Sequence, residues 1–351
     1  MYKKLVNTMS LVLLLSLISM VTSPVMVYPT VADSNYGLEV FAQGPRGLFG
    51  MAFDKEGNLY VAHEGYIDAP AGTDILKITP KGEVTTYATG FTGPSGLAFD
   101  RKGNLWVSDD RGPNGIHRIN PDGSITTFTF YPLINPNAIA FDKDWNLFVA
   151  DAGTGCIYKI PPPYNDNEII TFAVGFSTPE SVDIDKSGNV YTSDMLGKIY
   201  KIDPSGSVVV FAEGLGWTNG GLVLDKMGNV YASFPPNVLV FTPDGVGKVF
   251  VTGFTSYPRG LVFDVEGRLY ITDCNAGIIW RFTPSKIVFN SRVVGECWIA
   301  YGGIGPGIPS PIEWSGLGMG DARIRGSAEA VVPYKISGLS LIHISEPTRP
   351  Y

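Results

Sequence analysis

Six times along the chain a short apolar run meets a polar turn and continues as an alternating run. The copies read GMAFDKEGNLYVAHE, GLAFDRKGNLWVSDD, AIAFDKDWNLFVADA, SVDIDKSGNVYTSDM, GLVLDKMGNVYASFP and GLVFDVEGRLYITDC. In the second copy Leu105 and Val107 alternate with Trp106 and Ser108, the period of two that marks a strand. The turn acids Asp54, Asp100, Asp142, Asp185, Asp225 and Asp264 stand 39 to 46 residues apart, the repeat length of a four-stranded propeller blade. Third strands follow as ILKITP, IHRINP, IYKIPP, IYKIDP, VLVFTP and IIWRFTP, each stopped by proline. Fourth segments such as GEVTTYATG and GSVVVFAEG close most repeats.

One such sheet cannot bury both of its faces, so its neighbours must cover them. The expected fold is all-β: a six-bladed β-propeller of four-stranded antiparallel blades over residues 38–289. The segment LEVFAQG, Leu38 to Gly44, reads as an orphan fourth strand. It is expected to pair with Ile278–Phe282 and close the ring; KIVFN, Lys286 to Asn290, is the competing candidate. In the turns the Asp carboxylate can accept backbone amides while Gly or Asn takes a positive φ. Trp145 fills the glycine slot of the third copy, which shifts the expected positive φ to Asn146. Arg268 replaces Asn in the sixth, where Gly267 remains.

Composition narrows the function classes. The 351 residues are 44% apolar and 17% charged, with a formal net charge of −7. Nothing in that balance favours a nucleic-acid partner or an anionic membrane. Residues 1–32 read as a secretory leader: Lys3 and Lys4 precede an apolar core from Leu11 to Val21, and small residues follow at Ser23 or at Thr30-Val31-Ala32. A secreted or extracytoplasmic location is therefore expected, with no membrane contact beyond the leader. The three cysteines, Cys156, Cys274 and Cys297, leave at least one unpaired, and no CxxC supports a thiolate metal site. Residues 290–338 are a Gly/Pro-rich linker followed by a segment of unclassified fold. Residues 339–351, LSLIHISEPTRPY, resemble the translation of a transposon-derived sequencing adapter and are set outside the fold, His343 included. No P-loop, G-x-S-x-G or HExxH occurs.

The FD..GN turns over residues 38–289 resemble those of the NHL-repeat and gluconolactonase-like six-bladed propellers, a class that includes senescence marker protein and luciferin-regenerating enzyme. The resemblance implies that loops leading into each innermost strand share one face with loops leaving each second strand. The leading positions here are Phe49, Ser95, Asn137, Glu180, Gly220 and Arg259. In gluconolactonase-like enzymes that ring carries ligands for a divalent cation: a first-blade Glu, an Asn from PNG and an Asp from PDG. Here PNA supplies Asn137 and PES supplies Glu180, whereas Phe49 stands in place of the first-blade Glu and Arg259 adds a positive charge. The implied metal set is incomplete. If Ca2+ or another divalent cation binds, Asn137 and Glu180 are its expected ligands.

The second-strand exits add His63, Glu64, Asp109, Asp110, Asp151, Asp194 and Asp273. Asp recurs there at 109, 151, 194 and 273, which points to a structural duty in accepting loop hydrogen bonds. His63 and Glu64 depart from that pattern and open the longest such loop, His63 to Asp74, so His63 is the candidate general base. His117, inside a third strand beside Arg118, reads as surface. Virginiamycin B lyase, a propeller of related design, uses His and Glu with a metal; His63 and His117 supply no second rim histidine, so that chemistry is not expected. The expected ligand-binding set is Ser95, Asn137, Glu180, Arg259 and Asp109. Three function classes stand open, the first two being an exported, monomeric propeller that binds a small molecule, glycan or protein partner, and a metal-dependent lactone or ester hydrolase. A purely structural module is the third.

Overall fold

The computed structural model describes residues 28–285, apart from 34, 66–72, 112–114, 166–167, 219 and 255, together with the strands Glu313–Leu317 and Asp321–Arg325. Those two strands pair as an antiparallel hairpin. Among the described residues there is no helix.

Six antiparallel sheets carry the repeats. Their inner strands are Leu48–Phe53, Pro94–Phe99, Pro136–Phe141, Asp183–Ile184, Leu222–Leu224 and Pro258–Phe263. Each inner strand touches the next, and the sixth touches the first, so the blades stand radially around one axis. The second strands, Leu59–His63, Leu105–Asp109, Leu147–Asp151, Val190–Asp194, Val230–Phe234 and Leu269–Asp273, are the most buried elements. Both faces of each lie against a neighbouring blade. Apolar clusters fill the boundaries: Tyr60, Ala62 and Ile75 of blade I meet Leu97, Leu105 and Val107 of blade II. The last boundary joins Tyr270 and Ile279 of blade VI to Leu48, Met51 and Val61 of blade I.

Ring closure follows the sequence expectation. Tyr36–Gln43 pairs antiparallel with Ile278–Pro284, with Leu38 opposite Phe282 and Val40 opposite Trp280. Arg281 Nε donates to Glu39 Oε1 across this seam at 2.8 Å. The competing segment, Lys286 to Asn290, lies outside the described residues, as do the leader up to residue 27, Cys297 and the C-terminal tail. Thr30–Val31, inside the span read as leader, adds a fifth strand to blade V against Thr252 and Val251.

The turns work as the Asp pattern suggests. Asp100 Oδ1 accepts the Lys102 and Asn104 amides at 2.8 and 3.0 Å. Its Oδ2 accepts from Asn104 Nδ2 at 2.7 Å and from Trp106 Nε1 at 3.1 Å. In blade III the outcome differs from expectation: Trp145 itself takes φ +67°. Asn146 is held instead by Asp142, through its amide at 2.8 Å and its Nδ2 at 2.6 Å. The Asn side chain is thus committed to the carboxylate, and the preceding residue must carry the left-handed conformation even without glycine. In blade VI Arg268 Nε reaches Asp264 Oδ2 at 2.5 Å and replaces the Asn donor.

Hydroxyls on the second strands bind one blade to the next. Ser108 Oγ accepts the Gly96 amide of its own blade at 2.8 Å and donates to the Asn137 carbonyl of blade III at 2.7 Å. Thr272 Oγ1 accepts from Gly260 at 2.7 Å and donates to the Phe49 carbonyl at 3.3 Å, linking blade VI to blade I. Deleting Leu38–Phe41 reopens the blade VI edge and exposes apolar area at ~25 cal/mol per Å2. The expected outcome is a loss of several kcal/mol, read as a clear fall in melting temperature. An unchanged melting temperature would reject the clasp as the closing element.

Candidate functional site

The start of each inner strand faces the axis, and three of the leading side chains form a connected arc. Ser95 Oγ donates to Asn137 Oδ1 at 2.7 Å, and Asn137 Nδ2 donates to Glu180 Oε2 at 2.7 Å. Arg259 places its guanidinium carbon 4.2 Å from the centroid of the Phe49 ring, within cation–π range. Burial pushes the Glu180 carboxyl up to about 7, against the opposing pull of Arg259 and the Asn137 hydrogen bond. Glu180 can therefore be protonated or ionised near neutral pH, and Asn137 fixes its orientation.

A second group of charges lies at the second-strand exits. Glu64 is 2% exposed, and Arg111 pairs with it through Nη2 and Oε1. Arg111 Nε also lies 3.9 Å from Asp110 Oδ1. Burial, with repulsion from Asp110, raises the Glu64 carboxyl to about 7, and Arg111 and Arg259 oppose the shift. Burial likewise raises Asp110 to about 6, opposed by Arg111 and Arg259 and reinforced by Asp109. Arg259 thus acts on carboxyls from blades I, II and IV. Among the described residues its Nε is buried without a hydrogen-bond partner, as are Glu64 Oε2 and Asp110 Oδ1.

The other expected site residues divide by their partners. His63 Nδ1 lies 3.9 Å from Asp74 Oδ2 on the adjacent strand and makes no hydrogen bond. It is Glu64 beside it that engages the central charges. Residues 66–72 of that loop lie outside the described residues. Asp109 accepts the Thr92 and Gly93 amides at 2.8 and 2.7 Å and lies 3.4 Å from His117 Nε2, so its carboxylate holds a loop. Asp151 does the same for Ile134 and Asn135, at 2.8 and 3.0 Å. His117 corrects the surface reading: its side chain is 15% exposed, and it is held between Asp109 and Thr127 Oγ1. Arg111 was missed by sequence reasoning, since it falls in a loop with no repeat equivalent.

The axial cavity, about 1260 Å3, is lined by inner strands of all six blades and by turn residues such as Asp54, Asp142 and Asp264. Phe49, Ser95, Asn137, Glu180 and Arg259 line it as well, whereas Glu64, Asp110 and Arg111 do not. The ring is therefore a wall between the cavity and the rim charges.

Comparison with known proteins agrees with this fold. A gluconolactonase from Xanthomonas campestris superposes with a TM-score of 0.62 at 16% identity, over 74% of this chain and 95% of that one. The fold is a gluconolactonase-like six-bladed β-propeller. A virginiamycin B lyase from Staphylococcus aureus has the same fold, with a TM-score of 0.55 at 16% identity over 71% of this chain and 99% of the lyase. In sequence, a gluconolactonase from Zymomonas mobilis is 23% identical over 197 residues, 46% of this chain. The chain spans about half the length of that curated relative, 52%. Residues 167–202 match the strictosidine synthase-like, N-terminal family.

Gluconolactonase-like propellers imply a divalent cation on the inner ring, and the donors here fit one poorly. Asn137 Oδ1 already accepts the Ser95 hydroxyl, its Nδ2 faces Glu180, and Phe49 offers no ligand atom. Among the described residues no three His, Cys, Asp or Glu side chains converge as a metal group would require.

The Glu180 shift carries a stability consequence. Its pKa is about 7 when folded, above the ordinary 4.5, so its favourable contribution is complete below pH ~4.5 and is lost as pH rises through ~7. Glu180→Gln mimics the protonated form. Relative to wild type, the variant is expected to gain melting temperature between pH ~5 and ~8, with the difference vanishing in acid. A pH-independent difference would show that the raised pKa is not realised.

Proposed function

We propose that the protein hydrolyses a small lactone or ester bound in the axial cavity against the Ser95–Asn137–Glu180 arc. The observation that carries this reading is Glu180: a carboxyl raised to about 7, held by Asn137 at 2.7 Å, on the wall of a cavity of about 1260 Å3. A general base works best with a pKa near the operating pH. As the carboxylate, Glu180 takes a proton from water while the water oxygen bonds to the substrate carbonyl carbon. The carbonyl π pair moves onto oxygen, and the positive charge of Arg259 on the same wall opposes the developing negative charge. When the carbonyl re-forms, the ring C–O bond breaks and the Glu180 proton passes to the leaving alkoxide. The product is a hydroxy acid. The fold shared with a gluconolactonase supports this substrate class.

The binding-only reading has one specific observation in its favour, the incomplete ligand set around Phe49 and Arg259. The apolar leader, Leu11 to Val21, supports an exported location for either reading.

Lactone turnover followed by acid release tests the proposal. Glu180→Gln is expected to lower kcat by ~100-fold or more, whereas Asp151→Asn lowers melting temperature and leaves the rate per folded molecule near wild type. No turnover across five- and six-membered sugar lactones, with the same lactones protecting the fold thermally, would favour the binding-only reading.

A further inference from the structure

We infer that Arg259 takes the electrostatic place of the divalent cation on this propeller's inner ring, so that the ring receives a carboxylate group and refuses calcium. Three observations meet at this residue. Its guanidinium is held at 4.2 Å over Phe49, the side chain that stands where the resemblance places a first-blade carboxylate ligand. Its charge acts on Glu64, Asp110 and Glu180, from three other blades, so it is a shared counter-ion for the centre. Its Nε is buried and donates to no atom among the described residues, while it lines the axial cavity with Asn137 and Ser95.

The chemistry follows from these positions. A divalent ion needs several anionic or carbonyl oxygens. Here one expected ligand is an aromatic ring, Asn137 Oδ1 is occupied by a hydroxyl donor at 2.7 Å, and a fixed positive charge repels a second cation. The same charge attracts an anion, and a guanidinium presents paired N–H donors that match a carboxylate. Phe49 keeps one face of the guanidinium from water without competing for its hydrogen bonds. The ring therefore suits a ligand with a carboxylate and neighbouring hydroxyls: the carboxylate on Arg259, the hydroxyls along Ser95 and Asn137. The claim about calcium stands apart from the hydrolase reading, whereas the hydroxy-carboxylate claim matches the product of that reaction.

Melting temperature and calorimetry on the full chain test it. Wild type is expected to show no calorimetric binding of calcium and no rise in melting temperature in ~10 mM CaCl2, and to rise by a few degrees in excess sodium gluconate. Arg259→Gln should lose the gluconate shift. Phe49→Glu combined with Arg259→Gly should exchange the responses, gaining a calcium shift. A calcium-induced rise in wild type that Glu180→Gln abolishes overturns the inference, as does a gluconate shift that survives Arg259→Gln. The lactone rate is a separate readout: absent turnover with the expected ligand responses counts against the hydrolase reading alone.

Discussion

The structure depends on how closely successive inner strands approach one another at the axis. A Cβ on Gly96 would lie 2.8 Å from the Asn137 carbonyl oxygen, and one on Gly260 would lie 2.1 Å from that of Phe49. Neither distance can be held by a real side chain, so these strands pack backbone against backbone. The approach brings carbonyls of one blade within reach of second-strand hydroxyls of another, as at Ser108 and Thr272. Buried backbone polar groups require such partners. Ring closure, inner-strand spacing and the direction of the leading side chains are thus set by one geometric condition.

That condition explains why a repeated scaffold can carry a non-repeated centre. Asp109 and Asp151, one per blade at the same place, each accept two amides of the preceding loop. They build the rim and have little capacity left for a ligand. The positions that differ between blades are those free to do chemistry. Phe49, Arg259, Glu64 and Arg111 all break the pattern, and they touch or act on one another. Arg111 and Arg259 both act on Glu64 and on Asp110, so losing either arginine leaves two buried acids less compensated. The raised carboxyls show how incompletely the two arginines balance three acids away from water.

Much of the architecture was legible because each blade must contain its own instructions. Apolar alternation, the turn Asp and the stopping prolines recur once per blade, and the orphan run beginning at Leu38 had one unpaired edge to join. The conformation at Trp145 was not legible, because the turn rule assigns φ by residue type. The structure assigns it by the bonds that Asn146 must make to Asp142. His117 looked solvated because strand alternation puts it on a blade face. Which neighbour covers that face is a property of the ring, and Asp109 and Thr127 are the partners that draw it inward. The shared ring position of Asn137, Glu180 and Arg259 follows from their slot in the repeat, but the Glu64–Arg111 pair joins loops of two blades and has no periodic signal. The nearest hint was the acid at Glu64, directly after the His63 that replaces the strand-end Asp.

The separation between cavity and rim gives the centre its coupling. Glu180 and Arg259 line the axial cavity, while Glu64 and Asp110 stand behind that wall. Arg259 lowers the pKa of all three carboxyls, so they titrate as a linked set around one positive charge. Ionisation of Asp110 pushes the Glu180 carboxyl up, against the pull of Arg259. The arginine between the two compartments is what makes their protonation states one problem.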